Sequence, residues 1–123
     1  MGVPVIGCDC AVCTSPDTRN RRTRTSALLR TGAETVLIDA GPDFRTQALA
    51  AGLQSVDAVL LTHSHFDHVA GLDDLRPLTH RGGCVPIYGS ARTLSEVRER
   101  FAYAFEETSV GSTRPSLDLR PID

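Results

Sequence analysis

The sequence predicts an α/β fold in one domain of 123 residues. Two observations favour this class. Short apolar runs of strand length alternate along the chain with segments in which apolar residues recur at helical spacing. In addition, a dense group of histidine and aspartate side chains directly follows one apolar run, and open α/β sheets place their ligand-binding loops at such strand ends. The expected core is therefore a sheet layered with helices.

A polar loop at residues 14–24 precedes the first predicted strand. Four arginines make this loop locally basic: Arg19, Arg21, Arg22 and Arg24. Two interpretations stay open. The loop is either a solvated connection, or it contacts an anionic substrate, because guanidinium groups match the geometry of phosphate oxygens.

A β-hairpin is predicted next. The segments 25–30 and 35–39 have strand length and apolar centres, and Gly32 between them suits a turn. A helix should follow, since Pro42 fits a first helical turn and Gly52 fits the position just beyond a helix end. The apolar stripe of this helix consists of Phe44, Ala48, Leu49 and Ala51.

The middle of the chain predicts a buried strand at 57–62 and a short helix that begins near His68. Pro77 and the pair Gly82-Gly83 are expected to end that helix. A strand at 85–89 should follow.

Ser90 is a plausible N-cap for one more helix. Its apolar residues recur at helical spacing: Leu94, Val97, Phe101, Ala104 and Phe105. Its charged residues are expected to face outward: Glu96, Arg98, Glu99 and Arg100. The alternation of apolar and polar residues at 116–120 indicates the start of a last strand.

The candidate metal centre is the segment 62–68, Thr-His-Ser-His-Phe-Asp-His. It holds three imidazoles and one carboxylate: His63, His65, Asp67 and His68. These groups are usual ligands of zinc, manganese and iron. Four such groups spaced this closely are costly to bury without partners. For one histidine alone a buried, hydrogen-bonded side chain would be the simpler reading, but the cluster favours metal binding.

A second cluster places Cys8, Cys10 and Cys13 within six residues. Three thiols in one tight loop can converge on a structural zinc ion, which then needs a fourth ligand from elsewhere. The alternative is a set of free surface thiols. Cys84 is expected to be a small buried apolar residue, and His80 a surface residue.

Asp39 ends the second strand of the predicted hairpin, and it has two open interpretations. It either orients a metal-binding histidine without being a ligand itself, or it caps the helix that follows.

Charge and hydropathy exclude several classes of function. The net charge of −2 gives no electrostatic case for nucleic-acid binding by the whole chain. No apolar run has the length of a membrane span, and the first residues lack the pattern of a secretory signal. We therefore expect a cytoplasmic protein without a membrane partner. In that reducing compartment, cysteine clusters more often bind metal than form disulfides.

Several of these segments together resemble a known family. Residues 62–68 match the HxHxDH signature of the metallo-β-lactamase fold, and Ile38-Asp39-Ala40-Gly41-Pro42 resembles the strand and turn that precede it there. The segment 2–13, Gly-Val-Pro-Val-Ile-Gly-Cys-Asp-Cys-Ala-Val-Cys, resembles the phosphoribosyl cyclic phosphodiesterase branch, which adds a structural zinc at this point. Residues 70–76 fit the same branch, and the resemblance spans most of residues 2–105.

This resemblance implies the N-terminal half of a four-layered αββα sandwich. It implies two divalent ions, zinc or manganese, at one edge of the sheets, and one structural zinc. By carry-over, His63 and His65 hold the first ion, while Asp67 and His68 hold the second and are the candidate catalytic residues. A hydroxide between the two ions would attack the phosphorus of a small phosphodiester. Hydrolysis of β-lactams is less expected, because the cysteine trio belongs to the phosphodiesterase-like branch.

The same resemblance implies further ligands after the region where this sequence stops, namely another histidine, a bridging aspartate and a final histidine, and no histidine follows residue 80 here. We therefore expect residues 1–123 to form an incomplete domain that is inactive alone. One face of its sheet, with Leu28, Ile38 and Leu60, should be open and apolar, which favours self-association or a missing complementary half. The alternative function is that of a non-catalytic remnant that binds metal or another protein.

Overall fold

The computed structural model describes residues 1–106 and 113–122, and it confirms the α/β class. Five strands form one sheet in the order β1-β2-β3-β4-β5. Their bounds are Ala27–Arg30 for β1, Thr35–Ile38 for β2, Ala58–Leu60 for β3, Val85–Gly89 for β4 and Leu117–Pro121 for β5. β1 and β2 pair antiparallel, as the predicted hairpin requires, and the other neighbouring pairs are parallel.

Short helices connect the parallel strands. The α-helices are α1 at Phe44–Ala50, α2 at Phe66–Val69, α3 at Arg76–Gly82 and α4 at Ala91–Arg100. Turns of 3₁₀-helix occur at Thr18–Asn20, Ala70–Leu75 and Ala102–Ala104. Within the described parts of the chain, no helix has the length and apolar character needed to cross a membrane.

The helix ends follow the local sequence, with one correction. Ser90 caps α4, since its hydroxyl accepts a hydrogen bond from the Thr93 N–H at 3.2 Å. Gly83 follows α3 with a φ of 84°, a conformation that glycine adopts without a Cβ clash. The prediction that Pro77 ends a helix is wrong. Pro77 lies in the first turn of α3, where its missing N–H costs no hydrogen bond.

One face of the sheet carries the core. Leu37, Val59 and Ile87 lie side by side on neighbouring strands and are almost fully buried. Helical side chains complete this cluster: Phe44, Val69, Leu72, Leu75, Leu94, Val97 and Phe101. Because the parallel strands are short, this packing against helices provides most of their support.

The opposite face of the sheet is only half-buried. Ile38, Leu60 and Tyr88 are aligned on it, and Leu29 of β1 is 55% exposed. The sequence prediction put Leu28 on this open face, and that is wrong. Leu28 pairs with Leu37 and packs against the core, because alternate residues of a strand point to opposite faces.

Three further expectations about exposure can be judged. His80 is exposed, as predicted. Leu49 was expected in the buried stripe of α1 but is 66% exposed, because only Phe44 and Ala48 of that helix face the core. Cys84 was expected to be buried but is exposed. It lies in the turn between Gly83 and β4, one residue before burial begins at Val85.

Candidate metal centres

The histidine loop, residues 62–68, connects β3 to α2. The Leu61 N–H donates to the Tyr88 carbonyl at 2.7 Å, so the chain stays aligned with β4 up to the start of the loop. α2 then begins at Phe66, and the His68 N–H donates to the His65 carbonyl at 2.9 Å. The loop therefore lies at the carboxyl end of a parallel strand, where open α/β sheets bind their ligands.

The structure brings the predicted side chains of this loop together around His63. The centroid of the His63 ring lies 4.6 Å from that of His65 and 4.0 Å from that of His68. The Nε2 atom of His68 lies 3.8 Å from a carboxylate oxygen of Asp67. These residue types fit the chemistry of a divalent transition metal. Among the described residues, however, no three ligand atoms of this loop all lie within 4.8 Å of one another.

Asp39 is the hydrogen-bonding hub of the histidine loop. Its Oδ2 atom lies 2.7 Å from Nδ1 of His68 and accepts the Thr62 hydroxyl at 2.7 Å, while its Oδ1 atom accepts the Thr62 N–H at 2.9 Å. The residue is 3% exposed and has a φ of 57°, which is uncommon outside glycine. The alternative that Asp39 caps α1 is wrong, because the N-cap position of α1 is Asp43.

This network also indicates which ring nitrogens are engaged in hydrogen bonds. A carboxylate only accepts hydrogen bonds, so His68 donates through Nδ1 and its Nε2 is left free. Thr62 donates its one hydroxyl proton to Asp39. Its oxygen, 3.0 Å from Nδ1 of His63, can therefore only accept from that ring. Both His63 and His68 thus present Nε2 to an incoming ion, as imidazoles with an engaged Nδ1 do in metal sites.

Two glycines allow close backbone contacts beneath the histidine loop. A Cβ atom on Gly41 would lie 2.2 Å from the Asp67 carbonyl oxygen. A Cβ atom on Gly71 would lie 2.3 Å from the Gly41 carbonyl oxygen and 2.7 Å from the Cβ of Phe44. The loop after β2 and the segment of α2 are therefore packed at backbone distance, which only glycine permits.

Helix α4 makes contacts with the histidine loop that the sequence did not predict. The Ser64 hydroxyl donates to the Glu96 carboxylate, and the Arg100 guanidinium donates to the Ser64 carbonyl oxygen. Ser64 holds the pKa of Glu96 below its ordinary value, with Arg92 as the next cause. The expectation that Glu96 faces away from the protein is wrong, because it is half-buried, whereas Arg98, Glu99 and Arg100 are exposed as expected. The spacing of Glu96 and Arg100 with Arg92, four residues apart on one side of the helix, was the available signal.

The cysteine loop, residues 8–13, brings its three sulfurs together. Within the described parts of the chain, the Sγ atoms of Cys8, Cys10 and Cys13 are the only group of three potential ligand atoms that all lie within 4.8 Å of one another. In a tetrahedral zinc site with bonds of about 2.3 Å, sulfurs lie about 3.8 Å apart, so this arrangement fits a zinc ion after a small contraction.

Local hydrogen bonds favour the thiolate form of Cys10. The backbone N–H of Cys13, the Cys8 thiol and the backbone N–H of Val12 lower the pKa of Cys10 to about 7. The Val5 N–H points at the Cys13 sulfur at 3.4 Å. The Val5 N–H lowers the pKa of Cys13, but burial and the neighbouring thiols of Cys8 and Cys10 outweigh it and raise that pKa. Because a thiolate is the metal-binding form of cysteine, Cys10 is the thiol best prepared for a cation.

The cysteine loop is attached to the rest of the chain through few contacts. Val3 and Arg22 exchange backbone hydrogen bonds of 2.7 and 2.9 Å. The Arg24 N–H and guanidinium bind the Asp43 carboxylate at 2.7 and 3.0 Å and keep its pKa below the ordinary value. Arg19 pairs with Asp17 at 2.7 Å. Two of the four arginines are thus engaged locally, which favours the solvated interpretation of the basic loop.

The fold and the histidine loop together define a metallo-β-lactamase-fold protein. Residues 34–123 match the family described as Beta-lactamase superfamily domain, and the chain belongs to that family. The resemblance found in the sequence is thereby confirmed at the level of the fold.

Solved structures show the same architecture. A new diphosphatase from the PhnP family superposes with a TM-score of 0.86 and 40% identity, covering all of this chain and 47% of that chain. Zn²⁺-bound PqqB from Methylobacterium extorquens superposes with a TM-score of 0.74 and 26% identity, covering 98% of this chain and 42% of that chain.

A curated relative from Porphyromonas gingivalis, named octanoyltransferase, is 51% identical over 120 residues. The match covers 96% of this chain but 24% of that protein. The chain thus spans less than half the length of each of these three relatives, and it corresponds to the N-terminal part of the fold.

Proposed function

We propose that residues 1–123 supply the metal-binding N-terminal part of a hydrolase that cleaves a small phosphodiester or related phosphoanhydride. The observation that carries the proposal is the histidine loop at the end of β3, with the Nε2 atoms of His63 and His68 left free by the Asp39 network. The likeness to a PhnP-family diphosphatase at 40% identity supports phosphorus chemistry.

The residues have distinct roles in this proposal. His63 and His65 hold one divalent ion, zinc or manganese, while Asp67 and His68 hold a second. Bound divalent ions supply an activated water and neutralise charge on the phosphate oxygens. Asp39 orients His68 directly and His63 through Thr62. Cys8, Cys10 and Cys13 hold a structural zinc. Asp67 and His68 are the proposed catalytic residues.

The proposal does not include the octanoyltransferase activity for which the Porphyromonas gingivalis relative is named. The matched segment is 24% of that protein, so its activity can reside in the remainder. A cytoplasmic location, a small-molecule substrate and the absence of a nucleic-acid partner stay predictions.

A chimera tests the proposed function. Residues 1–123 replace the matching part of the PhnP-family diphosphatase, and the product is assayed with bis-p-nitrophenyl phosphate in the presence of zinc or manganese. We expect metal-dependent hydrolysis that Asp67→Ala lowers at least about 100-fold, because the proposed second ion loses a ligand. The matched control is Asp74→Ala, an exposed carboxylate on the adjacent 3₁₀ segment. Equal activity of the Asp67 and Asp74 variants would contradict the assignment.

The second candidate is a non-catalytic half-domain, and the half-buried apolar face of the sheet favours it. Ile38, Leu60 and Tyr88 form that face, with Leu29 at its edge. Sedimentation velocity on the 123-residue chain should show self-association, which Leu29→Lys should reduce. A monodisperse monomer that hydrolyses the chromogenic substrate by itself would contradict both the expected inactivity and the half-domain function.

A further inference from the structure

Helix α4 holds the residue between the first two histidines of the loop. Ser64 is 7% exposed and lies between His63 and His65 in the chain. Its hydroxyl donates to Glu96, and its carbonyl oxygen accepts from Arg100. One helix therefore fixes both the side chain and the backbone of the same loop residue.

The two helical residues that hold Ser64 also hold each other. Arg100 lies 3.6 Å from the Glu96 carboxylate, and Arg92 lies 3.1 Å from it on the preceding turn. These three charged residues are spaced four apart, so they lie on one side of α4. The Glu96 carboxylate thus has few free orientations.

Helix α4 is a firm support for this contact. Leu94 and Val97 bury the opposite side of the helix in the core, and Ser90 caps its first turn. A side chain anchored on such a helix is positioned more accurately than one on a loop. The loop residue is thereby tied to an element that packs on β4 and β5.

We propose that Glu96 and Arg100 are positioning residues for His63 and His65. By holding Ser64 on both its side chain and its carbonyl, they set the directions in which the two flanking imidazoles leave the loop. Asp39 performs the corresponding task for His68 from the other side. The role in metal binding rests on the proposed function, whereas the contact to Ser64 does not.

An open cleft of about 520 Å³ raises the alternative that Glu96 and Arg100 contact a substrate. It is lined by His63, Ser64, His65, Arg92, Thr93, Glu96 and Arg100. If Glu96 and Arg100 served only to contact a substrate there, their replacement would leave the two imidazoles undisturbed without substrate. The experiments below use this difference.

The first experiment titrates the 123-residue chain with Co²⁺ and follows its visible spectrum. Glu96→Gln keeps the size of the side chain but removes its charge, and Arg100→Met removes the donor to Ser64. We expect each to weaken cobalt binding at the histidines about tenfold, since residues that orient ligands have effects of this size. Arg100→Lys should restore part of the affinity. The matched control, Glu99→Gln on the exposed side of α4, should leave it unchanged.

The second experiment needs no metal. Ring signals of His63 and His65 are compared by NMR in the metal-free chain and in Ser64→Ala, Glu96→Gln and the double variant. We expect both rings to shift in each single variant and no additional shift in the double variant, because the two changes break one contact. Thermal unfolding shows whether each variant is folded. If a variant in α4 does not fold, the comparison is made with Ser64→Ala alone.

The outcomes are separable. Unchanged ring signals in folded Ser64→Ala and Glu96→Gln chains would overturn the proposal. If the chimera showed no metal-dependent hydrolysis, the proposed function would fail, while the ring signals of the metal-free chain would still decide whether α4 positions the two imidazoles. A change confined to substrate affinity in the chimera would also overturn it, in favour of direct substrate contact.

Discussion

The histidine loop contacts several elements of the fold, whereas the segment with the cysteine loop is attached by one strand bridge, one ion pair and the Gln47 side chain, which donates to Thr23 and Arg24. The histidine loop contacts β2 through Asp39, the backbone near Gly41, and α4 through Ser64. The cysteine loop is connected through Val3 and Arg22 and through Arg24. Both loops gather potential metal ligands within a few residues, yet their support differs.

The difference shows where ligand geometry comes from in each loop. The sulfurs of the cysteine loop converge because a tight turn brings them together, without long-range contacts. The imidazoles of the histidine loop are oriented by side chains 23 to 36 residues away in the chain. We therefore expect the histidine loop to keep its shape without metal and the cysteine loop to depend on zinc.

The largest loss of stability should come from adding a side chain where the backbone packs closely beneath the histidine loop. Gly41→Ala places a Cβ 2.2 Å from the Asp67 carbonyl oxygen, so one of the two segments must move. We expect the free energy of unfolding, measured with urea, to fall by about 3 kcal/mol. Gly32→Ala is the matched control, because nothing lies within 4 Å of a Cβ there. Equal stability of the two variants would mean that the loop is not held by the fold.

The next largest loss of stability should come from changing Asp39, which accepts the hydrogen bonds of Thr62 and His68. Asp39→Asn suits the backbone, since asparagine tolerates a positive φ, but its amide cannot accept all the hydrogen bonds from Thr62 and His68. We expect a loss of about 2 kcal/mol in unfolding free energy and a loss of about tenfold or more in cobalt affinity. Asp74→Asn, at an exposed position, should change neither quantity.

Loss of zinc from the cysteine loop should change the dynamics of that loop but not those of the histidine loop. Cys10→Ser is expected to increase amide exchange in residues 1–24 only, because the turn that gathers the sulfurs has little other support. Metal analysis should show loss of the zinc at the cysteine loop, with the cobalt spectrum of the histidines unchanged. Cys84→Ser is the control, since this exposed thiol lies outside the cluster. Increased exchange in the histidine loop as well would refute the separation.

The smallest effect should come from the ion pair that attaches the N-terminal segment. The Arg24 N–H and guanidinium lower the pKa of Asp43, so this pair contributes stability above the unfolded pKa and loses it as pH falls through the folded pKa. Asp43→Asn should cost about 0.5 kcal/mol near pH 7, and the difference from wild type should shrink as the pH falls through the lowered folded-state pKa of Asp43. A difference that grows on acidification would contradict this sign.

Much of the fold follows from local pattern. The hairpin at β1 and β2, the strand at 85–89 and the cap at Ser90 are confirmed, because each depends on neighbouring residues. The prediction for Pro77 was wrong because proline is common both just after a helix end and in a first helical turn. Here the 3₁₀ segment Ala70–Leu75 ends before it, so Pro77 lies in the first turn of α3.

The two loops that carry the candidate ligands could be located from the sequence, but the contacts that support them could not. The spacing of the histidines and cysteines was sufficient to find both loops. The hydrogen bonds of Ser64 with α4, and the approach of Gly41 to Asp67, depend on how distant segments meet. Charged residues on a helix usually face water, and the spacing of Glu96 with Arg92 and Arg100 predicts only that they lie on one side of α4, not that this side contacts Ser64.

The strand order β1-β2-β3-β4-β5 has a consequence for how the chain folds during synthesis. Every strand pairs with the one made just before it, so the sheet can grow at one edge as the polypeptide leaves the ribosome. Asp39 would emerge first and wait for Thr62 and His68, and Ser64 would be held only after α4 had followed. The histidine loop would therefore reach its final shape in two stages, first by contact with Asp39 at the end of β2 and then by contact with α4.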